Sequence, residues 1–228
     1  MASLLHHPLC AFSRSIRLAL AECGVEAELN EEKPWEWRPE FLALNPAGTL
    51  PVLIPDDGPP IAGWYAISEW LSDTLDDRPI TAFQPFPGEA DARAEARRLV
   101  EWFHHKFHSE VTDYLVIEKV FRRFGPNSTS PEMDAMRAGR DNLRYHMAYI
   151  GHLTETRSWL AGDALSFADL AAAAHLSALD YIGEVPWEQF EAAKNWYALV
   201  KSRPSFRPLL LDRVAGFVPA GTYADLDF

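Results

Sequence analysis

The chain has 228 residues, 48% of them hydrophobic and 24% charged, which is enough for one large or two modest domains with cores of their own. A formal charge of −12 argues against general binding to a phosphate backbone, where Lys and Arg must neutralise phosphates, so no nucleic-acid partner is expected. No apolar run approaches the ~20 residues that cross a bilayer, and Cys10 and Cys23 cannot form a disulfide framework, so a cytoplasmic protein without membrane insertion is expected.

Residues 1–77 alternate short apolar runs with helical patterns, which predicts an α/β unit. Leu4–Leu9 reads as a strand. A helix over Ser13–Cys23 places Ile16, Leu20 and Cys23 on one face and Arg14, Arg17 and Glu22 elsewhere, with Gly24 as its stop. Val25–Asn30 reads as a second strand, and Trp35–Leu44 as a short helix or irregular segment. The turn-forming Asn45-Pro46-Ala47-Gly48 run leads into Leu50-Pro51-Val52-Leu53-Ile54. Proline lacks the ladder donor, so Pro51 belongs at the start of that strand, and an X-Pro bond there can be cis. Such a turn would leave the backbone groups beside Pro51 facing outward, open to an extended peptide. Asp56-Asp57-Gly58 is a hairpin turn, and Ala66, Ile67, Trp70, Leu71 and Leu75 give an amphipathic helix. The predicted order is βαβα-ββα.

Residues 78–88 hold three prolines and a glycine and read as a linker; 89–216 read as helix throughout. The expected helices are Glu89–Phe124, Pro131–Trp159 with a break near Gly151, Phe167–Gly183, Trp187–Ser202 and Pro204–Val214. Leu165-Ser166-Phe167-Ala168-Asp169-Leu170 predicts a capping box, Ser166 at the N-cap and Asp169 at N3, with Leu165 and Leu170 as a hydrophobic staple. Residues 217–228 form a tail in which aromatic and acidic residues alternate, suited to a strap or a docking surface.

On the Asn45–Leu53 motif, the element order and the Ser166–Asp169 box, the chain resembles the glutathione transferase superfamily along nearly its whole length. The resemblance implies an α/β thioredoxin-like N-terminal domain joined to an all-α C-terminal domain. Cys10-Ala11-Phe12-Ser13-Arg14-Ser15-Ile16-Arg17 is similar to the superfamily's [SC]-P-x-S-x-[RK]-[VI]-R stretch, with Ala11 in place of proline. Cys10 at a helix N-terminus would feel the positive end of the dipole, which lowers a thiol pKa. Cys10, with Ser13, is thus a catalytic alternative; Cys10 as a small apolar residue and Ser13 as a plain cap are equally open. Glutathione-binding members carry E-S-x-A-I where this chain has Gly63-Trp64-Tyr65-Ala66-Ile67. Glycine offers no charge to the ligand's ammonium, and an indole accepts no hydrogen bond. Leu50, Pro51, Gly63 and Trp64 therefore mark a vestigial glutathione cleft. No cofactor is expected, though backbone N–H groups at the helix start leave weak glutathione binding open.

His104 and His108, with Glu101 a turn earlier, have a metal-like spacing, but no third ligand is evident and no metal is expected. Lys119, Arg122 and Arg123, interleaved with Glu118, form either a solvated helix end or a recognition patch; Trp35 and Trp37 pose the same choice between packing and an interface. Within the superfamily the chain is most similar to bacterial FtsZ-binding glutathione transferase-like proteins. That resemblance implies a homodimer that binds FtsZ filaments and is recruited to the division site, without catalysis. It makes Trp37, Glu118, Arg122, Arg123, Tyr223, Asp225, Asp227 and Phe228 the candidate partner contacts. The alternative is a Cys10-dependent glutathione transferase or thiol transferase.

Overall fold

A computed structural model describes residues 1–75, 83–122 and 129–226. The N-terminal unit runs β1 (Ala2–His6), α1 (Ala11–Glu22), β2 (Ala27–Glu31), α2 (Pro39–Leu44), β3 (Val52–Ile54), β4 (Ile61–Ala62) and α3 (Trp64–Leu75). Its four strands lie in the order β2-β1-β3-β4, with β1 parallel to β2 and antiparallel to β3. The register pairs Leu4 with Leu29 and with Leu53, and the turn at 56–58 joins β3 to β4 as a hairpin. Leu50–Pro51 is cis, and β3 starts one residue later.

The helical unit opens with a long helix, α4. It is α-helical over Ala90–Glu101, widens into π-helical turns over Trp102–Thr112, returns to α geometry over Asp113–Val116 and is π-helical again over Ile117–Phe121. Bonding from i to i+5 changes which side chains share a face, and nothing in the residue pattern announced it. The expected stop at Gly125-Pro126 lies outside the described residues. Next come α5 (Met133–Thr156), α6 (Phe167–Tyr181), α7 (Glu191–Lys201), α8 (Arg207–Leu210) and α9 (Gly221–Ala224). The break expected near Gly151 does not occur, because a lone glycine costs a helix only about 1 kcal/mol and packing covers that.

At the centre lies α6, all fifteen of its residues buried. The capping box forms: Ser166 Oγ accepts from Ala168 N at 3.3 Å, and Asp169 Oδ2 accepts from Ser166 N at 3.1 Å. The run Ala171–Ala174 gives a low surface that lets α1 lie close against α6. As a result α1 is buried nearly all round, and Arg14 and Arg17, expected away from the core, are inside it. In the expected linker the described portion is packed, with Phe83 and Phe86 buried; residues 76–82 lie outside the described residues. The tail is a strap across the helical unit. Ala220 N donates to Tyr181 O at 3.0 Å, Thr222 Oγ1 to Asp180 at 2.7 Å, and Lys201 Nζ to Thr222 O at 2.6 Å.

Candidate functional site

A cleft of about 300 Å³ opens between the two units. On one side it is lined by His7, Leu9, Cys10, Phe12, Trp35 and Leu50, and on the other by His108, Thr112, Asp113, Val116, Ile117 and Phe121 of α4. The β1–α1 loop positions Cys10. Its N–H donates to His7 O at 3.0 Å, and its sulfur caps α1 by accepting from Ser13 N at 3.4 Å. Cys10, and not Ser13, is therefore the N-cap residue; the Ser13 hydroxyl is fully buried in the first turn and away from the cleft. Burial opposes the helix-dipole effect expected at Cys10. Burial pushes its thiol pKa up, and this outweighs the contacts with Ser13 and Phe12 that favour the thiolate.

At the expected glutathione corner, Gly63 adopts φ +89 and its N–H donates to the Pro51 carbonyl at 2.9 Å. One acceptor position of that carbonyl is thus taken within the chain. The Trp64 indole lies 4.6 Å from the His104 ring, so the corner is aromatic where a zwitterion would need polar partners.

Behind this corner a chain of polar groups joins the two units. The Ser15 hydroxyl donates to Phe12 O at 2.8 Å, so it accepts from His104 Nε2 at 3.1 Å. His104 Nδ1 then accepts from His175 Nε2 at 3.0 Å, and His175 Nδ1 from Thr112 Oγ1 at 2.8 Å. Each imidazole in this order is neutral, with one ring nitrogen donating and the other accepting. Burial drives His104 down to about 3 and His175 well below the usual range; His7 falls to about 4, from burial first and then Arg14. The four-residue spacing read as metal-like thus serves two places, His104 in this chain and His108 in the cleft wall. Among the described residues no group of three or more metal-ligating side chains converges.

The expected partner contacts divide. Trp37 is 62% exposed and adopts φ 49, and Asp225 is exposed. Glu118, by contrast, is buried: it binds Arg122 at 3.2 Å and accepts from Glu132 N at 2.8 Å, tying α4 to α5. Lys119 is drawn to Glu184 at 2.7 Å, so the basic cluster is partly neutralised from within. Tyr223 is fully buried and offers no surface. Arg123, Asp227 and Phe228 lie outside the described residues.

Residues missed from the sequence are Arg14, Ser15, Thr112, His175 and Asp212. Arg17 makes a bidentate pair with Asp212 at 2.7 and 2.9 Å. Only their placement in apolar runs hinted at burial; their partners are distant in sequence.

A thioredoxin-like sheet, an all-helical partner unit and a cleft behind a cis-proline define a transferase-type fold. Residues 9–74 match the glutathione S-transferase N-terminal domain and residues 112–204 the glutathione S-transferase C-terminal domain. The chain belongs to the glutathione S-transferase family. It is 45% identical to FtsZ-localized protein A of Caulobacter vibrioides, over 99% of this chain and 98% of that one. The solved structure of FzlA from C. crescentus matches with a TM-score of 0.94 at 44% identity, covering 100% of this chain and 99% of that one. A glutathione S-transferase structure from Rhodospirillum rubrum matches at 0.95 and 46% identity over 100% of both chains.

Proposed function

We propose that this protein is a non-enzymatic scaffold of transferase fold that dimerises and binds FtsZ filaments at the division site. The observation that carries the reading is the glutathione corner, where Gly63 and Trp64 replace the polar pair and the indole packs on His104. Two observations support it: the burial around Cys10, which pushes its thiol pKa up, and the full-length similarity to a protein named for its localisation with FtsZ. Two copies of each patch per dimer would let modest contacts bridge filaments through avidity. Trp37, Arg122, Asp225 and the last residues of the tail are the surface this reading uses.

The test is co-sedimentation with polymerised FtsZ, comparing the intact chain with one that ends at Asp225. Cutting at Ala220 would be a poor choice, since it removes buried Tyr223 and damages the fold. Pelleting of the intact chain that the shorter chain loses supports the scaffold and places part of the contact in the tail. Failure of both to pellet ends the FtsZ reading. A second reading, Cys10-dependent thiol transfer, is favoured by the position of Cys10 in the cleft at the start of α1. Cys10→Ser separates the two: a scaffold keeps pelleting, whereas a thiol transferase loses its glutathione-dependent activity.

A further inference from the structure

Arg14, a buried residue on the second turn of α1, links the loop beside the cleft to the C-terminal strap. Its Nε donates at 2.5 Å to the carbonyl of Pro8, in the loop that carries His7 and Cys10. Its Nη1 donates to Ser177 Oγ at 2.9 Å and to Tyr223 Oη at 3.0 Å. The guanidinium lies 5.5 Å from the centre of the Tyr223 ring and 6.0 Å from that of Tyr181, and Nη2 is 3.5 Å from Asp212. Tyr223 in turn donates to the Leu209 carbonyl. Arg14 and Tyr223 are both fully buried. A buried guanidinium cannot simply lose a partner, because each unpaired donor keeps its desolvation penalty; it must move to find another.

We propose that the strap sets the shape of the β1–α1 loop: Tyr223 holds Arg14, Arg14 holds Pro8, and Pro8 holds Cys10 at the cleft. Inside the loop, the Cys10 N–H to His7 O and Leu9 N–H to His7 Nδ1 bonds make residues 7–10 a compact unit. Arg14 tethers that unit to the helical domain. When the strap leaves, the guanidinium follows its lost partner, the Pro8 tether slackens and the Cys10 sulfur, half-buried at the cleft, becomes more accessible. By linkage, an occupant of the cleft that shifts Pro8 is felt equally at Tyr223. This device belongs to the chain itself and does not depend on what binds the tail.

The experiment is alkylation of the full-length protein by iodoacetamide at pH 8, with each cysteine followed by peptide mass analysis. Cys23 caps the far end of α1 and is buried, so it reports general unfolding. Tyr223→Phe deletes only the hydroxyl and should speed modification of Cys10 roughly 3- to 10-fold, the scale of one net hydrogen bond, with Cys23 unchanged. Thr222→Ala loosens the strap without touching Arg14 and should act in the same direction, more weakly. Leu226→Ala, an exposed strap residue, should do nothing. An unchanged Cys10 rate in both loosened variants overturns the proposal. So does a parallel rise at Cys23, which would show the strap to be ordinary structural support.

Discussion

A single carboxylate holds the start of the central helix. Asp169 accepts from Ser166 N, Leu160 N at 2.8 Å and Trp196 Nε1 at 3.0 Å, although burial raises its pKa. Asp169→Ala strands four buried donors, the Ser166 hydroxyl among them, and we expect a loss of about 3–5 kcal/mol in urea unfolding. Asp169→Asn keeps the acceptor oxygen and should lose distinctly less; equal losses would mean that the box does not hold the cap. The Ser166–Asp169 half of this arrangement was legible because it spans four residues. The Leu160 and Trp196 half was not, because nothing local places them there. Arg14 and Arg17 show the same limit from the other direction. Charge alone assigns them outward, and partners far away in sequence, Ser177, Asp212 and Tyr223, help make their burial tolerable.

Between elements, close approach and proton order govern. Where α5 crosses α4, a Cβ on Gly139 would lie 3.0 Å from Leu115 Cγ and 3.2 Å from Tyr114 Cβ. Gly139→Ala gains about 1 kcal/mol of helix propensity and meets overpacking worth about 1–3 kcal/mol. A net fall in Tm is expected, and a rise would show that the helices can separate freely. The imidazole chain joining α1, α4 and α6 makes stability depend on acidity. His6 and His7 titrate at about 4 and His104 at about 3 in the fold, below their ordinary value of 6.5. The groups facing the His104–His175 pair are imidazoles, those of His108 and His146, and Asp113 acts on His108 from the same helix. Below pH 6.5 the unfolded chain takes up protons that the folded chain refuses. Stability is therefore complete above pH 6.5 and falls as pH drops towards 4, each such histidine costing up to about 1.4 kcal/mol per unit. Urea midpoints measured from pH 7.5 to 4.5 check this, and a flat profile would contradict the neutral chain. Sequence spacing drew attention to His104 and His108 but left them without a role, since no metal was expected, His175 arrives from another helix and the π turns alter the face each residue presents.

For the whole molecule, the two-unit architecture was readable because its signals are local and repeated: a proline before a strand, a hairpin turn, a capping box, a continuous helical pattern. The chemistry of the glutathione corner was readable only as a loss, Gly63 and Trp64 where polar groups were expected; of the four residues expected to mark the cleft, Leu50 alone lines it. How that loss is accommodated needed coordinates. Gly63 at φ +89 is unstrained, whereas a side chain there adds about 1–3 kcal/mol, and Trp64 contributes packing against His104 that a serine cannot. The chain is thus adapted to the aromatic corner, and restoring polar groups works against its stability. This gives a test that separates the two activities a transferase fold can host. In a Gly63→Glu, Trp64→Ser double variant we expect a lower Tm, consistent with several kcal/mol lost, and a glutathione affinity about 10- to 100-fold higher by calorimetry as the ammonium and carboxylate regain partners. Under the scaffold reading, pelleting with FtsZ polymer at a temperature where the variant stays folded should match that of the unaltered chain. Loss of pelleting from a folded variant would place the partner at the aromatic corner itself. Trp64 and its histidine neighbours, more than the tail, would then be the contact to map.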